Sequence, residues 1–117
     1  MTITTIGLEN IAVRIGSNIT SPSHLGIGSG SGVVLAANTG LVFHLDRNAL
    51  TSTNMSGAQE IVFTADFTNV EMSGINLREF GIFNLNSGGK LWQREGFAAV
   101  NFDGTNELQI ITTWRIV

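Results

Sequence analysis

Residues 60–67 read EIVFTADF, and this stretch decides the fold class because its side chains alternate in character. Ile61, Phe63, Ala65 and Phe67 fall on one side of an extended chain, and the polar residues Glu60, Thr64 and Asp66 fall with Val62 on the other. A strand with one buried face has this period of two. The stretch therefore predicts a half-buried β-strand that contributes to a hydrophobic core.

The sequence that follows predicts more extended chain. Residues 77–85 form a second strand that Gly81 interrupts, and residues 86–89 (NSGG) form a hairpin turn, since Asn and Gly tolerate positive φ. Residues 90–102 resume the extended chain.

A second turn is predicted at Asp103-Gly104, and residues 107–117 alternate again. One face of this last strand carries Leu108, Ile110, Thr112, Trp114 and Ile116, which places Trp114 in the core. Short strands separated by regular turn signals indicate a sandwich or a barrel.

The N-terminal part is less regular. Residues 7–15 have apolar side chains spaced for one helical face, with Gly16 at the helix C-terminus, but a strand fits them equally well. Residues 16–40 (GSNITSPSHLGIGSGSGVVLAANTG) contain no Asp, Glu, Lys or Arg. We expect a short strand at His24 to Gly28 and then a long flexible loop or arm up to Gly40. The whole chain, residues 1–117, is expected to form one all-β domain, a β-sandwich or jelly-roll-like fold with the Gly/Ser-rich loop or arm at 16–40.

Composition limits the function. Only 13% of the 117 residues are charged, against about 25% in a typical soluble domain, so we expect much of the surface to be covered in the working state. The alternative is a free domain whose Ser, Thr and Asn side chains face water. The net charge of −3 and the scattered basic residues do not predict nucleic-acid binding. No apolar run is long enough for a membrane span, and the N-terminus lacks the features of a signal peptide, so we expect synthesis in the cytoplasm.

Motifs for catalysis or cofactors are incomplete. There is no cysteine for a disulfide or thiolate site. The glycines of residues 26–32 lack the Lys of a P-loop and the spacing of a dinucleotide fingerprint. His44 and Asp46 share one strand face, but a metal site needs a third ligand, and a hydrogen-bonded surface pair is the simpler interpretation. No nucleophile-elbow motif is present, so we predict no enzymatic activity, no cofactor and no metal.

Other side chains indicate packing or docking. Arg78-Glu79 precedes the apolar run of residues 80–83 and is interpreted either as a buried pair at a subunit contact or as an exposed pair. Trp92 lies between Lys90 and Arg94 on its strand face, which favours an interface position.

The order of several motifs resembles a family of small virion structural proteins of tailed bacteriophages. These motifs are residues 1–5 (MTITT), 25–30 (LGIGSG), Thr39, Leu41, Arg47, residues 61–67 (IVFTADF), 77–83 (LREFGIF), Gly88-Gly89, Leu91, Arg94 and the 108–116 strand. The chain is also similar to the N-terminal attachment region of tail-collar fibre proteins, in which a GxGxG segment precedes a strand of the form REhGhF, where h is apolar. The resemblance departs at residues 43–46 (FHLD), where related proteins often carry a glutamate.

The resemblance implies a virion component without enzymatic activity, which self-associates, often as a trimer. We therefore expect a capsid decoration or cement subunit that packs across joints between subunits of the major capsid protein. The alternatives are a tail, collar or fibre-attachment component, and a carbohydrate-binding β-sandwich that uses Trp92 with Gln93 or Glu95. The expected contact residues are Leu25, Ile27, Val33, Val34, Leu35, Arg47, Arg78, Glu79, Trp92 and Arg94.

Overall fold

The structure, a computed structural model, describes residues 4–7, 20–57 and 59–115 of the chain. The described part is built mainly of β-strands, which confirms the predicted all-β, sandwich-like class. The strands are β1 (His24–Gly28), β2 (His44–Ala49), β3 (Ser52–Gly57), β4 (Glu60–Phe67), β5 (Asn76–Phe83), β6 (Leu91–Asn101) and β7 (Leu108–Arg115), and helix α1 (Asn69–Met72) lies between β4 and β5.

The strands form two antiparallel sheets. One sheet has four strands in the order β2-β1-β5-β6, and the other has three in the order β3-β4-β7. The chain passes between the sheets after β2, where Leu50 donates to the Ser23 carbonyl at 2.9 Å and Thr51 to the Thr64 carbonyl at 2.7 Å. These two bonds belong to different sheets, so a two-residue corner joins them.

The core lies between the inward faces of the sheets. Phe63, Ala65 and Phe67 of β4 are buried, which confirms the alternation predicted for residues 60–67. Trp114 of β7 is also buried, as predicted, and its ring stacks on Trp92 of β6 with the ring centroids 6.1 Å apart. Because β6 and β7 belong to different sheets, the tryptophan pair is a direct contact between them.

The prediction that Gly81 interrupts its strand was wrong. Strand β5 is continuous through Gly81, which pairs with Gly26 of β1 on one side and with Arg94 of β6 on the other. A Cβ atom at residue 81 would lie 2.7 Å from Leu91 Cδ1. Glycine is therefore required here for close packing of neighbouring residues and not for a break in the strand.

Both predicted turns are present. Gly88 and Gly89 have φ values of +63° and +73° in the connection between β5 and β6, and Gly104 has a φ of +92° before β7. Asp103 supports the second turn, since its Oδ1 accepts the Thr105 amide at 3.0 Å. Positive φ favours glycine, which explains the composition of these turns.

The helices differ from the sequence prediction. Most of the helix or strand considered for residues 7–15 lies outside the described residues, although residues 5–7 are helical. Helix α1 was not predicted, but it begins with a capping box in which Thr68 and Glu71 bond each other's backbone amides. Within the described ranges, no helix is long and apolar enough to cross a membrane.

Candidate functional site: a glycine-rich loop anchored on a buried carboxylate

The outer face of the four-stranded sheet carries several glycines, so few side chains project from it. Gly26 pairs with Gly81, and Gly28 pairs with Glu79, which in turn pairs with Gly96. Strand β1 is where the sequence predicts it, and the glycine-rich loop, residues 29–43, leaves its end and folds back onto this face before β2 begins. The described part of the loop is therefore packed against the sheet instead of projecting as an arm.

The glycines of the GIGSG segment admit this close contact. A Cβ atom on Gly28 would lie 2.4 Å from the Phe43 carbonyl oxygen and 2.6 Å from Glu79 Oε2. A Cβ atom on Gly30 would lie 2.4 Å from both Glu79 Oε2 and Val42 Cβ. Such distances cannot be accommodated without movement of the backbone. Glycine at residues 28 and 30 therefore allows the chain to approach the Glu79 carboxylate closely.

The Glu79 side chain anchors both ends of the loop. Its Oε2 accepts the amides of Gly30 and Phe43, both at 2.8 Å, and its Oε1 accepts the Val42 amide at 2.9 Å. Arg94 Nε completes the set at 3.1 Å from Oε1. Glu79 has no exposed surface and Arg94 is 1% exposed, so the pair is fully buried.

Arg94 extends the anchor to the middle of the loop. Its Nη1 donates to the Val33 carbonyl and to Asn38 Oδ1, both at 3.3 Å. Asn38 Oδ1 also accepts the Leu35 amide at 2.9 Å. The guanidinium therefore fixes the apex of the loop, while the carboxylate fixes its two ends.

The carboxylate stays ionised at neutral pH. Burial acts to raise the pKa of Glu79, but the hydrogen bonds from Phe43, Val42, Arg94 and Gly30 outweigh it and bring the pKa below its ordinary value. The loop thus uses its backbone amides to bind an anion, as phosphate-binding loops do, but the anion belongs to the chain itself.

The anchored loop presents apolar side chains to solvent. Val33, Leu35, Val42 and Phe43, which we call the loop surface, are 75%, 52%, 58% and 60% exposed. The loop contains no charged residue, and its apex lies close to strand β6, where Val34 Cγ2 would be 3.3 Å from a Cβ atom on Gly96. A fixed backbone with exposed apolar side chains is the arrangement of a docking surface.

The predicted contact residues divide into two groups. Val33 and Leu35 are exposed, and Val34, Arg47 and Arg78 are half-buried. The other five are covered by their own chain, so they position a surface instead of contributing side chains to it: Leu25, Ile27, Glu79, Trp92 and Arg94.

Two predicted relationships need correction. Glu79 is not paired with its neighbour Arg78, because adjacent residues on a strand point to opposite faces, and its partner is Arg94 on β6. Trp92 is not at an interface but in the core, at 2% exposure. The register between β5 and β6 shifts at Phe83, where Trp92 is the extra residue of a β-bulge. A strict alternation places the Trp92 side chain on the outer face, but the bulge turns it into the core.

Sequence reasoning missed two contributors to the site, which are Val42 and Phe43, and it did not single out Asn38 within the predicted arm. The signal was the end of the uncharged run, where a polar turn is followed by three apolar residues, 41–43, directly before β2. His44 and Asp46 form the hydrogen-bonded surface pair that the sequence favoured, with His44 Nε2 3.1 Å from the backbone carbonyl oxygen of Asp46. Among the described residues, no three His, Asp or Glu side chains are grouped so that they could hold a metal ion.

Comparison with known protein families and with curated proteins gives no match for this chain.

Proposed function

We propose that the protein is a structural subunit of a tailed-bacteriophage virion, a capsid decoration or cement protein that docks through the loop surface. The observation that carries this proposal is the buried Glu79–Arg94 pair, which holds four exposed apolar side chains in place. A charged pair at this position contributes little to stability for its own sake, since burying two charges costs several kcal/mol of solvation. Its structural effect is to fix the loop.

A fixed loop suits a docking role for an energetic reason. A flexible segment loses conformational entropy when it binds, and a loop that is already ordered avoids most of that loss. Val33 and Phe43 can then bury apolar area against the capsid at about 25 cal/mol per Å². A subunit that contacts two capsid proteins at once holds their joint together, because both contacts must break before it dissociates.

A place in the tail or collar is the second candidate, and it uses the same surface. The two candidates differ in copy number, with hundreds of copies expected on a shell and about a dozen in a collar ring with the symmetry of closed oligomers. The resemblance on which both rest also implies self-association, with a trimer favoured. The virion is the proposed location in either case.

The burial of Trp92 argues against the carbohydrate-binding alternative. A sugar site needs an exposed aromatic ring, but Trp92 is 2% exposed and stacks on Trp114 in the core. Its neighbour Gln93 is also buried, with Nε2 3.2 Å from Thr112 Oγ1. We therefore do not retain this alternative.

The test is a binding assay with matched variants. Purified protein is mixed with virus shells that lack it, sedimented, and the bound copies are counted by quantitative gel. Wild type should saturate at hundreds of copies and raise the temperature at which the shells open. Phe43→Ser should weaken binding by at least about tenfold, as expected for an interface hot spot. Ile111→Ser on β7, which removes an equally exposed apolar side chain, should bind as wild type does.

Either of two outcomes would overturn the proposal in its present form. Failure of the wild type to bind shells would exclude the cement role and leave the collar, where binding is tested on purified tails. Equal loss of binding in the two variants would show that the loop surface is not the docking site.

A further inference from the structure

A cavity of about 320 Å³ opens beside the glycine-rich loop, at the β2 edge of the four-stranded sheet. It is bounded on one side by β2 and on the other by the turn between β5 and β6. The residues that line it are His44, Leu45, Asp46, Arg47, Asn86, Ser87 and Gly88.

Arg47 is held rigidly in this cavity. Its Nη1 donates to the carbonyl oxygens of Leu85 and Gly88, at 2.9 and 2.8 Å. Its Cζ lies 3.6 Å from the centroid of the Phe83 ring, which is a cation–π contact. An arginine fixed by such contacts loses little side-chain entropy when it binds a ligand.

The other edge of the guanidinium remains available. Nη2 makes only a long contact, 3.4 Å to His44 Nδ1, and Nε has no acceptor among the described residues. The acceptor for His44 Nε2 is the Asp46 carbonyl, so the Nε2–H tautomer leaves Nδ1 free to accept from Arg47. The Nε–Nη2 edge offers two parallel N–H donors, and their spacing matches the two oxygens of a carboxylate.

The positive charge has no counter-ion in the described part of the chain. Arg47 forms no ion pair there, and partial burial lowers its pKa, as expected for a cation with incomplete solvation. The acidic residue next to it in the chain, Asp46, directs Oδ1 to the Arg47 backbone amide at 2.8 Å. Asp46 is also paired with Ile27 and Arg47 with Gly26, so the two side chains leave opposite faces of β2.

We propose that this cavity is a carboxylate-binding site. In the assembled state the carboxylate would come from an acidic side chain of the docking partner. Only this source of the carboxylate rests on the proposed function. Leu45 lines the cavity, and Leu85 supplies one of the carbonyl oxygens that bind Arg47. Both side chains are exposed, so an acidic residue flanked by apolar residues fits the surroundings best.

Carboxylate binding in the cavity is tested on the free protein with acetate as the probe. Acetate is added at constant ionic strength and pH 7, and the ring resonances of His44 are followed by NMR, with chloride and inorganic phosphate in parallel titrations. We expect saturable shifts with acetate at a Kd on the order of 10 mM, as one bidentate charged contact provides, and shifts without saturation with chloride. Phosphate binding tighter than acetate would overturn the carboxylate assignment.

Two arginine variants complete the test. Arg47→Lys keeps the charge but removes the planar pair of donors, and it should weaken acetate binding by at least about fivefold. Arg115→Lys, on an exposed arginine of β7, should bind acetate as wild type does. Equal acetate affinity in Arg47→Lys and wild type, or identical responses to acetate and chloride in the wild type, would overturn the inference. Because no shell or partner is present, these outcomes are independent of the docking assay.

Discussion

Glu79 links the sequence motif to the shape of the surface. A carboxylate is suited to this position because it accepts hydrogen bonds only, and its surroundings provide three backbone amides and the Arg94 guanidinium. Glutamine has nearly the same shape but brings two N–H donors into a site lined with donors. The charge of Glu79 therefore matters more than its volume.

We predict that Glu79→Gln lowers the free energy of unfolding by about 3 kcal/mol, because the buried Arg94 loses its counter-charge. The measurement is urea denaturation followed by far-UV circular dichroism. Glu107→Gln is the matched control, since Glu107 is exposed, and it should change the free energy by less than about 0.5 kcal/mol. A loss below about 1 kcal/mol in Glu79→Gln would contradict the anchoring role.

The same variant gives a prediction for pH dependence. The pKa of Glu79 is lower in the folded protein than its ordinary value of 4.5, so its stabilising effect is complete above that value and is lost as pH falls through the folded pKa. A protonated Glu79 resembles glutamine. The difference in unfolding free energy between wild type and Glu79→Gln should therefore stay at about 3 kcal/mol from pH 6 to 7 and shrink below about pH 4.5. A difference that grows on acidification would show that the sign is wrong.

At the scale of elements, the glycine-rich loop is defined by the spacing of its glycines. Gly28→Ala should lower the free energy of unfolding by about 2 kcal/mol, because the new methyl group would meet the Phe43 carbonyl and the Glu79 carboxylate. Gly40→Ala, within the loop that follows Gly28, is the control, since nothing lies within 4 Å of its Cβ position, and it should be tolerated. Thermal unfolding of both variants measures the difference. Equal melting temperatures of the two variants would show that the loop does not pack closely against Gly28.

The sequence was sufficient for elements whose pattern is local. Strand β4 and the burial of Trp114 follow from alternation, and the turn glycines follow from the need for positive φ. The partner of Glu79 could not be predicted, because Arg94 is fifteen residues away and meets it only through the pairing of β5 with β6. Trp92 was misplaced for a related reason, since a one-residue register shift reverses the face of a side chain.

At the scale of the whole molecule, the two sheets depend on each other through a polar and aromatic contact in the core. Trp114 Nε1 donates to Gln93 Oε1, and the Trp114 ring packs against Trp92 and Phe63. Gln93 and Trp92 belong to the four-stranded sheet, while Trp114 and Phe63 belong to the three-stranded one. We therefore expect the sheets to unfold in a single cooperative transition.

Trp114→Phe tests this expectation, because it leaves Trp92 as the only tryptophan and so makes fluorescence a probe of the four-stranded sheet alone. Loss of the Gln93 hydrogen bond and of ring volume should lower the free energy of unfolding by about 2–3 kcal/mol. Ile111→Val, on the outer face of the same strand, should cost less than about 0.5 kcal/mol. The fluorescence and far-UV transitions of the variant should still coincide, because loss of either sheet exposes the core of the other. If fluorescence changed at a higher urea concentration than far-UV ellipticity, the four-stranded sheet would be stable by itself, and the loop surface that it carries would not require the rest of the sandwich.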